Sequence, residues 1–280
     1  MNEIEKARRA YYVDGIRLMS DEEYDQKTAN LEKKIGIKRR YKNSVIHEVP
    51  MLSMHNTYDI LDIPNFFKKK LGNDIYNTRY IISPKIDGVA VSVVYENGIL
   101  VQASTRGDGH IGKDITEKVK KINSVPQKID ALERLEYRGE AFVSYLNYKL
   151  INRYRLLNGD EPYYTPLQAV TSILKKNNSD NLDKLSFCIH SNPLEEMNPW
   201  IKASLYGLPI NEYMIQDFDD IEDTLRKLTR KYVIFSTIVP MDGIVIAIYN
   251  YELCKKLGAT KTAPNWCIAY KFKKNFSVEN

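Results

Sequence analysis

The stretch from Val89 to Thr105, VAVSVVYENGILVQAST, does most to narrow what this chain can become. Val89, Val91, Val93 and Tyr95 alternate with smaller or polar residues, the period of a strand with one buried face. Asn97-Gly98 interrupts the pattern, and Ile99 to Ala103 resume it. Asn-Gly accepts the positive φ angles of a type I′ turn, so the pair predicts a tight antiparallel hairpin. Ile81 and Ile82 lead a further strand into Lys85. More strands are expected at 134–143, 185–190, 231–239 and 242–249, and a last one in WCIAYKF. Within them, IVIAIYN is a β-branched run of the buried type. Helices are expected at 144–157 and 167–176.

The first 36 residues read differently. IEKARRAYYV has helical spacing, and Ser20 with Glu23 forms an S-x-x-E capping box before DEEYDQKTANLEKKIG, with Gly36 as the stop. Two helices with a short connector predict a helical hairpin. A basic linker follows at 37–44; Lys38, Arg39 and Arg40 could touch phosphates, but a solvated linker is the expected reading. The fold class expected is α+β: a helical hairpin module over 1–40, then a domain of mainly antiparallel sheet over 41–280.

Composition removes several function classes. Hydrophobic residues make up 43% of 280, enough for a real core. A net charge of +5 suits a polyanionic partner without requiring one. Cys188, Cys254 and Cys267 lie far apart with no C-x-x-C spacing, so neither a zinc ribbon nor a disulfide framework is indicated, and the low, odd count agrees with a reducing cytosol. The opening MNEIEKARRA lacks the apolar core of a signal peptide, and no run of eighteen apolar residues occurs. A cytoplasmic location without membrane attachment is expected.

The chemistry-bearing signal is Lys85-Ile86-Asp87-Gly88, placed between two strand-like segments. Thr105-Arg106-Gly107-Asp108-Gly109 forms a glycine-rich polar loop after the hairpin. Arg138-Gly139-Glu140 ends one strand, Met241-Asp242-Gly243 starts another, and Ala269-Tyr270-Lys271-Phe272 follows near the end. These residue types suit phosphoryl chemistry. An amine becomes a nucleophile once burial and nearby cations lower its pKa. Attack on a phosphorus spreads negative charge over oxygens, which Arg and Lys stabilise. Carboxylates hold ribose hydroxyls and orient the amine. No metal-ligating cluster is read from the sequence.

With these motifs in order, the chain resembles the bacterial-type NAD-dependent DNA ligases of the covalent nucleotidyltransferase superfamily. The resemblance runs over nearly the whole chain and rests on PKIDGVAVSVVYENGILVQASTRGDG, HEVPML at 47–52 and APNWCIAYKF at 263–272. It implies a ligase-type nucleotidyltransferase domain, unrelated to ATP-grasp folds, in which Lys85 carries AMP. Asp87, Glu140 and Arg106 would serve the ribose and nearby phosphate, and Lys271 the α-phosphate. Ser83 and the backbone at Ile86 would meet the adenine, His190 would stack on it, and Asp242 would complete the pocket. Tyr11, Tyr12, Asp21, Tyr24 and Asp25 match the module that grips the nicotinamide mononucleotide (NMN) half of NAD. Tyr24 and Asp25 share a helix face with Asp21, and aromatic rings can stack on a cationic nicotinamide.

The implied substrate is NAD, with Mg²⁺ held mainly by phosphates and water. The implied partner is nicked double-stranded DNA, with further OB, zinc and helix-hairpin-helix domains supplied elsewhere, for example by a separate subunit. The many Lys, Asn and Ile residues agree with an AT-rich phage or viral genome.

The pattern also departs from the family. Ser83 stands where a glutamate is expected, Lys113 where an acid is, and Ala247 where a lysine is. Leu167 and Ser172 lie where the family has an arginine- and glycine-bearing segment, in which Lys175 is expected to replace one arginine. These changes carry the competing expectation of a degenerate module that binds nucleotide, DNA or a partner without self-adenylation. An ATP- or GTP-using relative shares K-x-D-G but needs no nicotinamide grip, so the Tyr11 to Asp25 module argues against it.

Overall fold

The computed structural model describes residues 3–11, 16–28, 43–176, 180–191 and 199–272. Two short helices come first, α1 (Glu3–Arg9) and α2 (Asp21–Thr28). Strands β1 (Ser44–Ile46) and β2 (His55–Thr57), helix α3 (Asp62–Leu71), and strands β3 (Arg79–Ile86), β4 (Val89–Glu96), β5 (Ile99–Thr105) and β6 (Ile111–Lys113) follow. Next come α4 (Thr116–Val119), β7 (Leu135–Phe142), α5 (Tyr145–Leu157), α6 (Pro166–Lys175), β8 (Ser186–Ser191), α7 (Pro199–Leu205) and β9 (Met214–Asp217). The described chain closes with α8 (Ile221–Phe235), β10 (Met241–Ile248), α9 (Tyr251–Leu257) and β11 (Cys267–Lys271).

Two sheets dominate. One has the order β2-β11-β10-β3-β9 and the other β5-β4-β7-β8; β1 and β6 make a small ribbon. All these pairings are antiparallel except β11 with β2. The expected hairpin is β4–β5, with Asn97 at φ 48° and Gly98 at φ 74°. A side chain at 98 would also meet the Ile129 carbonyl oxygen at 2.3 Å, so glycine is required twice over.

Each sheet backs onto its own core. Val91, Val93, Tyr95, Leu135, Tyr137 and Phe187 pack with Ile151, Val170 and Ile173 of α5 and α6. Tyr80, Ile82, Ile244, Ile246 and Ile268 pack with Ile63, Phe67, Leu225 and Tyr232 of α3 and α8. The opposite faces of the two sheets are left to line a common cleft. Helix starts are set locally: the side chains of Ser144, Thr165 and Asn250 accept from the amides of Asn147, Gln168 and Leu253.

One expected strand is a helix. Residues 231–239 hold the β-branched, aromatic run YVIFSTIV, yet α8 runs through Phe235 and turns follow it. Ile221, Leu225, Leu228 and Tyr232, at i, i+4, i+7 and i+11, are all buried. That helical face overrides the local β-propensity of its last turn. Two short helices stand within the first 28 residues, and the rest of the second expected helix, from residue 29 to 36, lies outside the described residues. Ser20 Oγ accepts from the Glu23 amide at 3.0 Å, and Arg8 Nε donates to the Tyr24 hydroxyl at 2.9 Å. Gly36 and most of the 37–44 linker, with Lys38, Arg39 and Arg40, lie outside the described residues.

Candidate active site

The chain passes from one large sheet to the other between Ile86 and Val89, so Asp87 and Gly88 form the crossing. A Cβ at Gly88 would stand 2.2 Å from the Ala141 carbonyl oxygen; only hydrogen leaves room for the turn. The Asp87 amide donates to the Pro240 carbonyl at 2.9 Å, tying the crossing to the start of β10. Lys85 is the penultimate residue of β3, opposite Gly243, and its side chain meets the next residue back. Nζ lies 2.9 Å and 3.0 Å from the two carboxylate oxygens of Asp242.

The cleft above Lys85 has a volume of about 1450 Å³, larger than the usual range for small-molecule sites. One wall carries Ser83, Val245, Ala247 and Ala269, small residues that leave a flat apolar floor; the other carries Arg106, Arg138, Glu140 and His190. Arg138 has a structural task. Its guanidinium donates to Glu136 and to the carbonyls of Val49 and Pro50, pinning the HEVPML segment along the rim. That segment in turn holds the glycine-rich loop, through Met51 N to Gly109 O at 2.8 Å and His47 Nε2 beside Arg106 O at 3.2 Å.

The electrostatics follow from this crowding. Burial pulls the Lys85 ammonium down, but Asp242, Asp87 and Glu140 outweigh it, and the net shift is upward. This corrects the expectation of an amine freed by neighbouring cations: carboxylates are its closest charged groups. Burial pushes Glu140 up to about 8, opposed by Lys85 and Arg106 and reinforced by Asp87 and Asp242. His190 falls to about 4, through burial first and then Arg138, Lys85 and Arg106. It is therefore neutral at pH 7, and its 4.0 Å approach to Glu140 is not an ion pair.

The helical module reaches into the same cleft. Asp25 accepts from Lys271 Nζ at 3.2 Å, Asn56 Nδ2 at 3.0 Å and the Tyr58 hydroxyl at 3.1 Å. Arg17 Nη2 donates to Asp87 Oδ2 at 2.8 Å. Tyr11 and Tyr24 line the cleft beside Arg17. The structure thus brings together Ser83, Lys85, Ile86, Asp87, Arg106, Glu140, His190, Asp242 and Lys271 with Tyr11, Tyr24 and Asp25. Tyr12 lies outside the described residues, as does the side chain of Asp21, which begins α2.

Sequence reasoning missed Arg17, Asn56 and Tyr58. Asn56 and Tyr58 carried no motif; the parallel pairing of β2 with β11 puts them beside Lys271. Arg17 stands in a connector without periodicity, so only the tertiary contact reveals it. Among the positions that depart from the resemblance, Ala247, Leu167 and Lys175 all line the cleft, and Lys113 Nζ donates to the Lys175 carbonyl at 3.3 Å.

A lysine at a strand crossing, held by carboxylates in a deep cleft with an arginine-bearing loop, is the equipment of a covalent nucleotidyltransferase. The family model for the NAD-dependent DNA ligase adenylation domain matches residues 40–275, and the chain belongs to that family. It is 32% identical to the DNA ligase of Mycoplasma capricolum subsp. capricolum, over 94% of this chain and 43% of that protein. The DNA ligase of Thermosipho africanus is also 32% identical, over 96% of this chain and 45% of its own length. The chain therefore spans less than half the length of these curated relatives. Among solved structures, an archaeal ATP-dependent RNA ligase aligns at 13% identity and a TM-score of 0.46, over 80% of this chain and 48% of that one. A mycobacterial DNA ligase D aligns at 12% and 0.45, over 80% and 60%. Among the described residues, no helix is long and apolar enough to cross a membrane.

Proposed function

We propose that this chain is the adenylation unit of an NAD-dependent DNA ligase, with Lys85 as its nucleophile. Lys85 Nζ attacks the α-phosphorus of NAD; an N–P bond forms, the P–O bond to the NMN phosphate breaks, and NMN leaves. Asp242 grips the amine with both oxygens and is the group placed to take its proton. Arg106 and Lys271 stabilise the charge gathering on the α-phosphate. Asp87 and Glu140 hold the ribose, Ser83 and the backbone at Ile86 contact adenine, and His190, neutral at pH 7, stacks on it. The module over 1–40, with Tyr11, Tyr12, Asp21, Tyr24 and Asp25, takes the nicotinamide half, and the domain over 41–280 takes AMP. The AMP then passes to the 5′-phosphate of a DNA nick in the cytoplasm, where sealing needs further domains or a partner subunit. Mg²⁺ would be held by substrate phosphates and water and would offset phosphate charge; among the described residues no cage of three or more His, Cys, Asp or Glu side chains converges.

The observation that carries this reading is the joining of both half-sites. Lys271 of the AMP side and Asp25 of the NMN side are in direct contact at the mouth of the cleft that holds Lys85. Incubation with NAD labelled in its AMP half tests it. Intact mass should rise by one AMP group, NMN should appear in equal amount, ATP should not substitute, and Lys85→Ala should stay unlabelled. Reversible NAD binding without any adduct would favour the competing reading, motivated by Ser83 and Ala247, of a binding module that has lost the covalent step.

A further inference from the structure

We propose that Arg17 is the residue that grips the phosphate of NMN, the group expelled when Lys85 attacks. This deepens the adenylation reading and rests on it for the identity of the substrate. Arg17 belongs to the connector between α1 and α2. Nevertheless its guanidinium reaches 2.8 Å from Asp87, two residues beyond the nucleophile, with 17% of the side chain exposed. Its Cζ also lies 5.8 Å from the centre of the Tyr11 ring. One side chain therefore touches both the neighbourhood of the reacting amine and an aromatic ring of the helical module.

The local surroundings define its task. Arg17, Asp87 and Leu167 line both the main cleft and a crevice of about 140 Å³ that Tyr145, Thr165 and Pro240 also bound, and so form the partition between the two. Leu167, in the same partition, is buried and brings no charge. A dinucleotide that places its α-phosphorus on Lys85 and its nicotinamide between the module's tyrosines must run its second phosphate past this partition. During attack the electron pair of the breaking P–O bond moves onto that second phosphate, which departs with one more negative charge than it had in NAD. A forked guanidinium gains most where such charge develops. As Arg17 turns to the phosphate, Asp87 is released to the ribose hydroxyls that it serves.

The test uses the whole chain with Arg17→Ala and Arg17→Lys, and reads both directions of the reaction. Arg17→Ala should lower kcat/KM for NAD labelling, and the rate at which NMN discharges preformed lysyl-AMP, by on the order of 10- to 100-fold. Arg17→Lys should recover part of both. AMP affinity, measured by titration, should stay within about twofold, which also shows that the variant is folded. NMN alone, titrated against the unaltered chain, should bind, and Arg17→Ala should weaken that binding at least tenfold. If Arg17 merely steadies Asp87, Arg17→Ala slows labelling while NMN affinity stays unchanged, and the proposal falls. Equal loss of AMP and NMN affinity overturns it as well. Absence of labelling in the unaltered chain would defeat the adenylation reading, yet the NMN titration would still decide the role of Arg17: equal binding to both proteins, or none to either, sinks it.

Discussion

The sheet domain and the N-terminal helices are held by different forces. The sheets rest on two continuous apolar cores, in which Tyr80, Tyr95, Tyr137, Phe67 and Ile63 are fully enclosed. Helix α1 contributes one buried hydrophobic residue, Ala7, and α2 contributes Thr28. The helices meet the sheet domain through polar groups instead: Arg17 with Asp87, and Asp25 with Lys271, Asn56 and Tyr58. Apolar burial is not weakened by charge screening and is hard to undo locally. Charged contacts exchange readily with water, ions or a charged substrate. The groups to which the proposed covalent step is assigned thus stand on a scaffold held by apolar cores, and those proposed to choose the leaving half stand on a part held by polar contacts.

The largest expected effect lies on the scaffold. Lys85→Ala should abolish the lysyl-AMP adduct, a loss of about 10³-fold or more in labelling rate, while thermal unfolding changes little. A variant that still carries AMP would show that another group is the nucleophile. Next, Phe67→Ala, at a side chain 0% exposed with its ring 4.7 Å from that of Tyr80, should cost about 3–5 kcal/mol in denaturant unfolding. A comparable loss from a change in the helices would erase the contrast.

Across the divide, Asp25→Ala removes the acceptor of three contacts. It should raise KM for NAD by roughly tenfold and leave the unfolding midpoint of the sheet domain in place. Loss of global stability would instead make the module part of the core.

Glu140 gives a pH signature within the scaffold. Its pKa is raised from about 4.5 to about 8, so the folded protein holds this proton more tightly than the unfolded chain. The stability this contributes is full below pH 4.5 and is lost as pH climbs through 8. Glu140→Gln, which cannot ionise, should therefore gain on the unaltered chain over that interval, by on the order of 1–3 kcal/mol. A flat difference with pH would place the Glu140 pKa in the ordinary range. The smallest effect belongs to Glu3→Ala. It breaks an exposed bridge to Lys27 and should leave the unfolding midpoint unchanged.

How far the sequence disclosed this arrangement depended on the range of the forces involved. The β4–β5 hairpin was legible because Asn97-Gly98 encodes its turn locally, and β7, β8, β10 and α5 were legible because their patterns hold from end to end. The last turn of α8 was not: Tyr232 to Phe235 favour a strand, and only the burial of Ile221, Leu225 and Leu228 on one face makes them helical. The residues that the sheet domain gathers in the cleft could be named from their motifs and from the family resemblance. Their charge state could not, since it arises when Asp242, 157 positions away, arrives beside Lys85. Arg17 lay beyond reach for the same reason, its partner being 70 positions distant.

The missing side chain at Gly88 has a consequence for the dimensions of the whole pocket. Because the backbone there lies against the Ala141 carbonyl, a single methyl group would act as a shim, wedging β3 and β4 away from β7. Lys85 and Glu140 ride on opposite sides of that joint, so the gap between the amine and the carboxyl group is gauged by one hydrogen atom.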